Sequence, residues 1–171
     1  MDWSRIVLGA IQIAALTAGV IGMASVASPP LLASDDFAIS TLRGINAIHV
    51  IVEGINPDAV KDGLSIDQLK TDAELRLRKA GIVVSDTSSP YVYVRVTLVK
   101  AVGSNQYAYD CHVSLEQIIT VKANQVVTMA ATWSRGTVGL AGSQRMTRVV
   151  RDEVSDLVDE FANAFLSVNP K

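Results

Sequence analysis

The sequence predicts an α+β fold. It reads as a two-layer sandwich ordered β-α-β-β-β-α, with a four-stranded mixed sheet and two helices on one face. Three observations carry this. Between Tyr91 and Val99, Val92, Val94, Val96 and Leu98 share one parity, while Tyr91, Tyr93, Arg95 and Thr97 share the other. That period of two belongs to a strand with one dry and one wetter face. Two further strand-like runs follow, and a helical pattern lies on each side of the set. Each strand of this meander keeps one face wet enough for solvent, so both helices are expected on the opposite face.

The bulk numbers fit one compact domain with additions. The chain has 171 residues, of which 49% are apolar and 5% aromatic. That suffices for a core built mostly from Val, Ile, Leu and Ala. The net charge of −2 lacks the basic surplus of a general nucleic-acid binder, so no nucleic-acid partner is expected.

Ile6 to Val26 carries no charge and follows Arg5. Residues 1–27 read as a secretory signal with a short basic start, an apolar middle and small residues at Ser25-Val26-Ala27. A second cut after Ala33 also fits. The competing reading is a retained anchor, because roughly 20 apolar residues span a bilayer. Gly9, Gln12, Thr17, Gly19 and Gly22 dilute the segment, and no basic cluster follows it. The expected location is periplasmic or secreted. The alternative is an inner-membrane protein held through residues 6–26, with its domain outside. No cysteine follows at the end of the apolar run, so attachment as a lipoprotein is not expected. Residues 28–41, with Pro29, Pro30, Asp35 and Asp36, read as a linker, and residues 42–171 as a single α+β domain.

Within that domain, Ile45 to Val52 reads as the first strand, apolar on both faces and hence well covered. The first helix begins at Ser65, with Gln68 three residues later as a capping box and Leu64 and Leu69 at the staple positions. Ile66, Leu69, Ala73, Leu77 and Ala80 form its stripe, and Gly81 is the expected stop. Tyr91 to Val99 comes next, then Tyr107 to about Val121, with a bulge expected near Gln117-Ile118-Ile119. Val126 to Ser134 completes the meander, with Val127, Met129, Ala131 and Trp133 inward. Arg135 to Ser143 reads as a glycine-rich loop. The last helix spans about Gln144 to Ser167, burying Val150, Val154, Leu157, Val158, Phe161, Phe165 and Leu166.

Leu42-Arg43-Gly44, the helix end Leu75 to Ile82, the strand end Ala131-Thr132-Trp133-Ser134 and the tail Phe161 to Pro170 resemble an uncharacterised family of exported bacterial proteins. More distantly, the layout is similar to the lipopolysaccharide-assembly lipoprotein and to the N-terminal domain of the translocation protein TolB. That resemblance implies an envelope module that works by binding partners, without the lipoprotein mode of anchoring.

The chemistry-bearing residues carry little that is specific. Cys111 is the only cysteine and sits on the apolar parity of its strand, as a small buried hydrophobe does. Asp110, His112 and Glu116 share a strand face, yet neighbours two apart are about 7 Å from one another, too far to chelate a metal alone. No metal and no cofactor is expected. Ser134 lacks the G-x-S-x-G elbow of a hydrolase. The α-β-β-β-α part resembles a double-stranded RNA module, whose cytosolic setting the export signal denies.

The expected function is therefore a non-enzymatic, exported envelope module that binds a protein or an anionic envelope polymer. The alternative is a hydrolase-like enzyme using the glycine-rich loop or the polar sheet face. The partner surface is expected at Arg135, Gly136, Gly139, Gly142, Ser143, Arg145 and Arg148. Glycines would free the loop, Ser143 would cap the helix, and three arginines would add charge at an anion-favouring end.

Overall fold

The computed structural model describes residues 34–170; the signal or anchor expected in residues 1–27 lies outside them. The sheet has four strands in sequence order. They are β1 (His49–Val52), β2 (Tyr91–Lys100), β3 (Gln106–Thr120) and β4 (Val127–Gly142). β1 pairs parallel to β2, and β2, β3 and β4 form an antiparallel meander. Two long helices, α3 (Ile66–Lys79) and α4 (Ser143–Val168), cover one face: α3 packs on β1, and α4 on β3 and β4. The expected two-layer α+β sandwich is what forms. No helix among the described residues is long and apolar enough to cross a membrane.

Two short helices are additions to the expected order: α1 (Ser34–Ser40) and α2 (Pro57–Lys61). α1 lies inside the stretch read as linker. It is held from afar, by Asp35 on Arg135 at 3.1 Å and by Gln117 Nε2 donating to the Thr41 carbonyl. Local sequence carries no trace of either contact. β1 is shorter than expected because a strand needs a neighbour. Ile48 finds only a single bridge, to Val84, and residues 45–47 find none.

α3 forms as its caps dictate. The Ser65 side chain accepts from the Gln68 N–H at 3.4 Å, while Leu64 and Leu69 are both buried. At the other end Gly81 takes φ +80°. Its N–H donates to Arg78 and that of Ile82 to Leu77, the two bonds of a Schellman turn. Ile66, expected in the buried stripe, is 36% exposed.

β3 and β4 run on past the end of β2, which stops pairing at Glu116. The bulge falls between Leu115 and Glu116, opposite Thr132, the extra residue of β4. Trp133 is inward, with its ring 5.1 Å from that of Phe161.

The stretch Arg135 to Ser143 is not a loop. Residues 135–142 are the second half of β4, paired residue for residue with β3 from Gln106 to Val113, and Ser143 opens α4. Two glycines of this half-strand lie against rings of β3. A Cβ on Gly139 would sit 2.4 Å from Tyr109 Oη, and one on Gly136 would sit 3.1 Å from His112 Cδ2. Each glycine leaves the space across which the ring of its β3 partner lies.

The turn at 42–44 and the residue after α4 are tied together. Asn169 follows α4; its amide donates to the Leu42 carbonyl and its carbonyl accepts from the Gly44 N–H at 2.7 Å. The turn at 42–44 is thereby fixed to the C-terminal tail.

Candidate functional site

The residues expected to form one partner surface fall into separate places. Arg135 lies on the helix side of β4, with its guanidinium 5.5 Å from the Trp133 ring centroid. It forms ion pairs with Asp35 and Glu160. Arg145 and Arg148 stand at the other end of α4. Fifteen residues separate Arg145 from Glu160 on that helix, about 22 Å at 1.5 Å per residue. Arg135 is thus a tie between layers, remote from the other two arginines. Gly136 and Gly139 are strand residues on opposite faces. Gly142 is the N-cap of α4 and makes no side-chain bond to it. Ser143 does not cap. It is the first helical residue, its N–H donates to the Asn105 carbonyl, and its hydroxyl is buried without a partner.

What does assemble at the start of α4 is a cleft of about 470 Å³ lined by Asp62, Lys100, Asn105, Ser143 and Arg145, among others. Asp62 is its electrostatic centre. The Tyr107 hydroxyl donates to it at 2.6 Å and Lys100 Nζ at 3.1 Å. These bonds, Tyr107's first, hold the Asp62 carboxyl below the usual carboxylate range. Lys100 also lies over the Tyr107 ring. The lysine nearest the helix start is therefore already matched by a carboxylate, and Arg145 is the cation left facing outward. Sequence reasoning missed this cluster because its members come from the α2–α3 turn and from two strands.

A second groove, of about 740 Å³, runs between α3 and α4. Arg151 donates to Asp72 at 2.8 Å, and Arg76 pairs with Asp159. Burial works to raise the Asp72 carboxyl, but hydrogen bonds from Arg151 and Gln68 outweigh it and leave it lowered. These crossing pairs fasten one helix to the other. Lys79 and Arg148 line the same groove and form no ion pair with a described residue.

Neither long helix covers the far face of the sheet. Its side chains form rows across the strands. His49, Tyr91 and Glu116 make one, Ile51, Tyr93 and Ser114 the next, and Arg95 and His112 the third. Arg95 pairs with Asp110 at 3.7 Å. Towards the other end the rows turn apolar, through Thr97, Asp110 and Val138 to Val99, Ala108 and Leu140. Val99 is 61% exposed, Val138 77% and Leu140 72%. A shallow depression of about 430 Å³ lies among them.

This geometry separates the two histidines. His49 and His112 lie on the same face, two strands apart and four residues along, which puts their Cα atoms about 16 Å from one another. His49 instead pairs with Asp86 at 3.4 Å. Among the described residues no group of three or more His, Cys, Asp or Glu side chains is placed to hold a metal ion.

Cys111 is fully buried on the helix side of β3. Burial, and then the Glu153 and Asp110 carboxylates, push its thiol up to about 12. An unfolded thiol ionises near about 8.5. The stability gained from keeping the thiol neutral is therefore present below that pH and is lost as pH rises towards the folded value. Ellman's reagent at pH 8 is expected to leave the folded chain unmodified and to titrate one thiol per chain in denaturant. Ready reaction of the folded chain would show that the strand opens there.

No family model matches the chain, and no curated protein does. Among solved structures the chain is similar to the minor lipoprotein of Acinetobacter baumannii, at 11% identity and TM-score 0.38, covering 72% of this chain and 94% of that one. It is also similar to the rare lipoprotein B of Shewanella oneidensis, at 12% identity and TM-score 0.39, covering 72% and 96%. A third likeness is to PelC of Paraburkholderia phytofirmans, solved as a dodecamer, at 13% identity and TM-score 0.39, covering 66% and 82%.

Proposed function

We propose that this chain is an exported, non-enzymatic envelope module that engages a protein partner with the uncovered face of its sheet. One observation carries the reading. The helices α3 and α4 take one face, and the other presents Tyr91, Tyr93, Arg95 and His112 in adjacent rows. Tyrosine and arginine are the residues that interfaces concentrate, since each offers a broad contact surface with a polar end. Export rests on the uncharged run at residues 6–26. The resemblance to envelope modules that bind partners supports the same assignment.

The start of α4, with Gly142, Ser143, Arg145 and Arg148, is the competing surface and would suit an anionic envelope polymer. A photo-crosslinking residue placed at Tyr93, His112, Arg145 or Arg148 in living cells separates the two. Discrete adducts from positions 93 and 112, in the periplasmic or membrane fraction, are the expected result. Adducts from 145 and 148 alone would move the partner surface to α4, and a chain found in the cytoplasm would overturn the envelope reading.

A further inference from the structure

We infer that two copies of this chain pair through the outer edge of β4, antiparallel about Gly139, to make one continuous eight-stranded sheet. This goes beyond the partner reading above and does not depend on it. β4 is the last strand of the sheet, and no described strand pairs with its outer edge. Edge strands in soluble proteins are commonly guarded by proline, by lysine or by a bulge. β4 contains neither proline nor lysine. Its bulge at Thr132 and its single charge at Arg135 both lie in its first nine residues, beside α1. The segment 136–142, Gly-Thr-Val-Gly-Leu-Ala-Gly, has no charge and no guard at all.

That segment is complementary to itself. With a two-fold axis at Gly139, Val138 of one copy stands opposite Leu140 of the other on the open face. These two residues are 77% and 72% exposed in the single chain. Val99 and Ala108 lie behind Leu140, and Asp110 and Thr97 behind Val138, so the joined row would be apolar from Val99 of one copy to Val138 of the other. On the helix side Thr137 meets Ala141, and Gly139 meets its own counterpart, so nothing bulky stands between the copies. No like charges are opposed anywhere in the paired stretch. A two-fold axis normal to the sheet also leaves the helices of both copies on one face and both open faces on the other. The contact is small beside the about 800 Å² per partner of a stable interface, so association should depend on concentration.

The register makes the proposal testable in the full chain inside cells. Directly opposed residues of an antiparallel pair have Cα atoms about 4.5–5.5 Å apart, within disulfide reach. The double variant V138C/L140C should therefore give a disulfide-linked dimer on mild oxidation. V138C alone places its thiols on a diagonal of about 7–8 Å, too far for an unstrained bond, and should crosslink far less. Adding Thr137→Lys to the double variant sets a charge on the helix side of the edge, leaves both thiols in place and should abolish the dimer. Val102→Cys, on an exposed turn away from the edge, reports random collision. A double variant that crosslinks no better than V138C or Val102→Cys would overturn the proposal. So would a dimer that survives Thr137→Lys in a chain whose thermal melting is unchanged.

Discussion

Replacing Trp133 with alanine is expected to destabilise the domain by about 3–5 kcal/mol, the usual range for truncating a large buried aromatic. Trp133 is 2% exposed. Its ring meets Phe161 edge to face at 74°, an arrangement that adds to simple burial. Arg135 covers it from the side. Alanine would empty the space where β4, α4 and, through Arg135, α1 come together. Against a total stability of about 5–15 kcal/mol, that is a large fraction. Trp133→Phe should be much milder, below about 1.5 kcal/mol, and it also removes an indole N–H that has no partner. Urea denaturation followed by circular dichroism measures both. An unchanged midpoint for the alanine variant would mean that Trp133 does not hold the layers together.

Gly139→Ala is the second large effect, and two contributions oppose one another. Alanine restricts the unfolded chain and would by itself stabilise by about 0.4–1 kcal/mol. The new Cβ, however, would lie within 3 Å of the Tyr109 hydroxyl oxygen and two of its ring carbons, at 2.4, 2.5 and 2.9 Å. That ring cannot simply swing away, because its hydroxyl donates to Glu153 on α4 at 2.9 Å and the side chain is largely buried. Overpacking of this kind costs about 1–3 kcal/mol, so net destabilisation is expected. A double-mutant cycle isolates the cause. In a Tyr109→Ala background the same glycine substitution should become nearly neutral or stabilising. An equal penalty in both backgrounds would place the strain elsewhere.

The misreading of β4 follows from this same pair. Three glycines in the nine residues from Arg135 to Ser143 look like a flexible turn when the chain is read locally, because glycine is common in turns. The reason for Gly139 lies thirty residues earlier in Tyr109, and that for Gly136 in His112. Neither reason is visible without the register of β3 against β4. The same blindness explains Ser143, which reads as a helix cap until Gly142 is seen to end a strand and occupy that position. It explains α1 as well, which is held by Arg135 and Gln117 rather than by a pattern of its own. What could be read was local. The cap at Ser65, the stop at Gly81 and the alternation of Tyr91 to Val99 each depend on neighbours within a few positions. The expected site failed to assemble for the opposite reason, since residues close in sequence were separated by the length of α4.

The parallel pairing of β1 has a consequence for the order in which the molecule is built. The strands β2, β3 and β4 are joined by short turns, and α4 follows β4 directly, so contacts within that half close small loops. β1 contributes four residues, and its one partner among the described strands, β2, follows some forty positions later, after α2 and α3. Closing a long loop for so few contacts is favourable only once the meander offers a finished edge. A chain leaving a ribosome or a translocation channel exposes His49 to Val52 first. Among the described strands, the first to emerge has no pairing partner until β2 follows it.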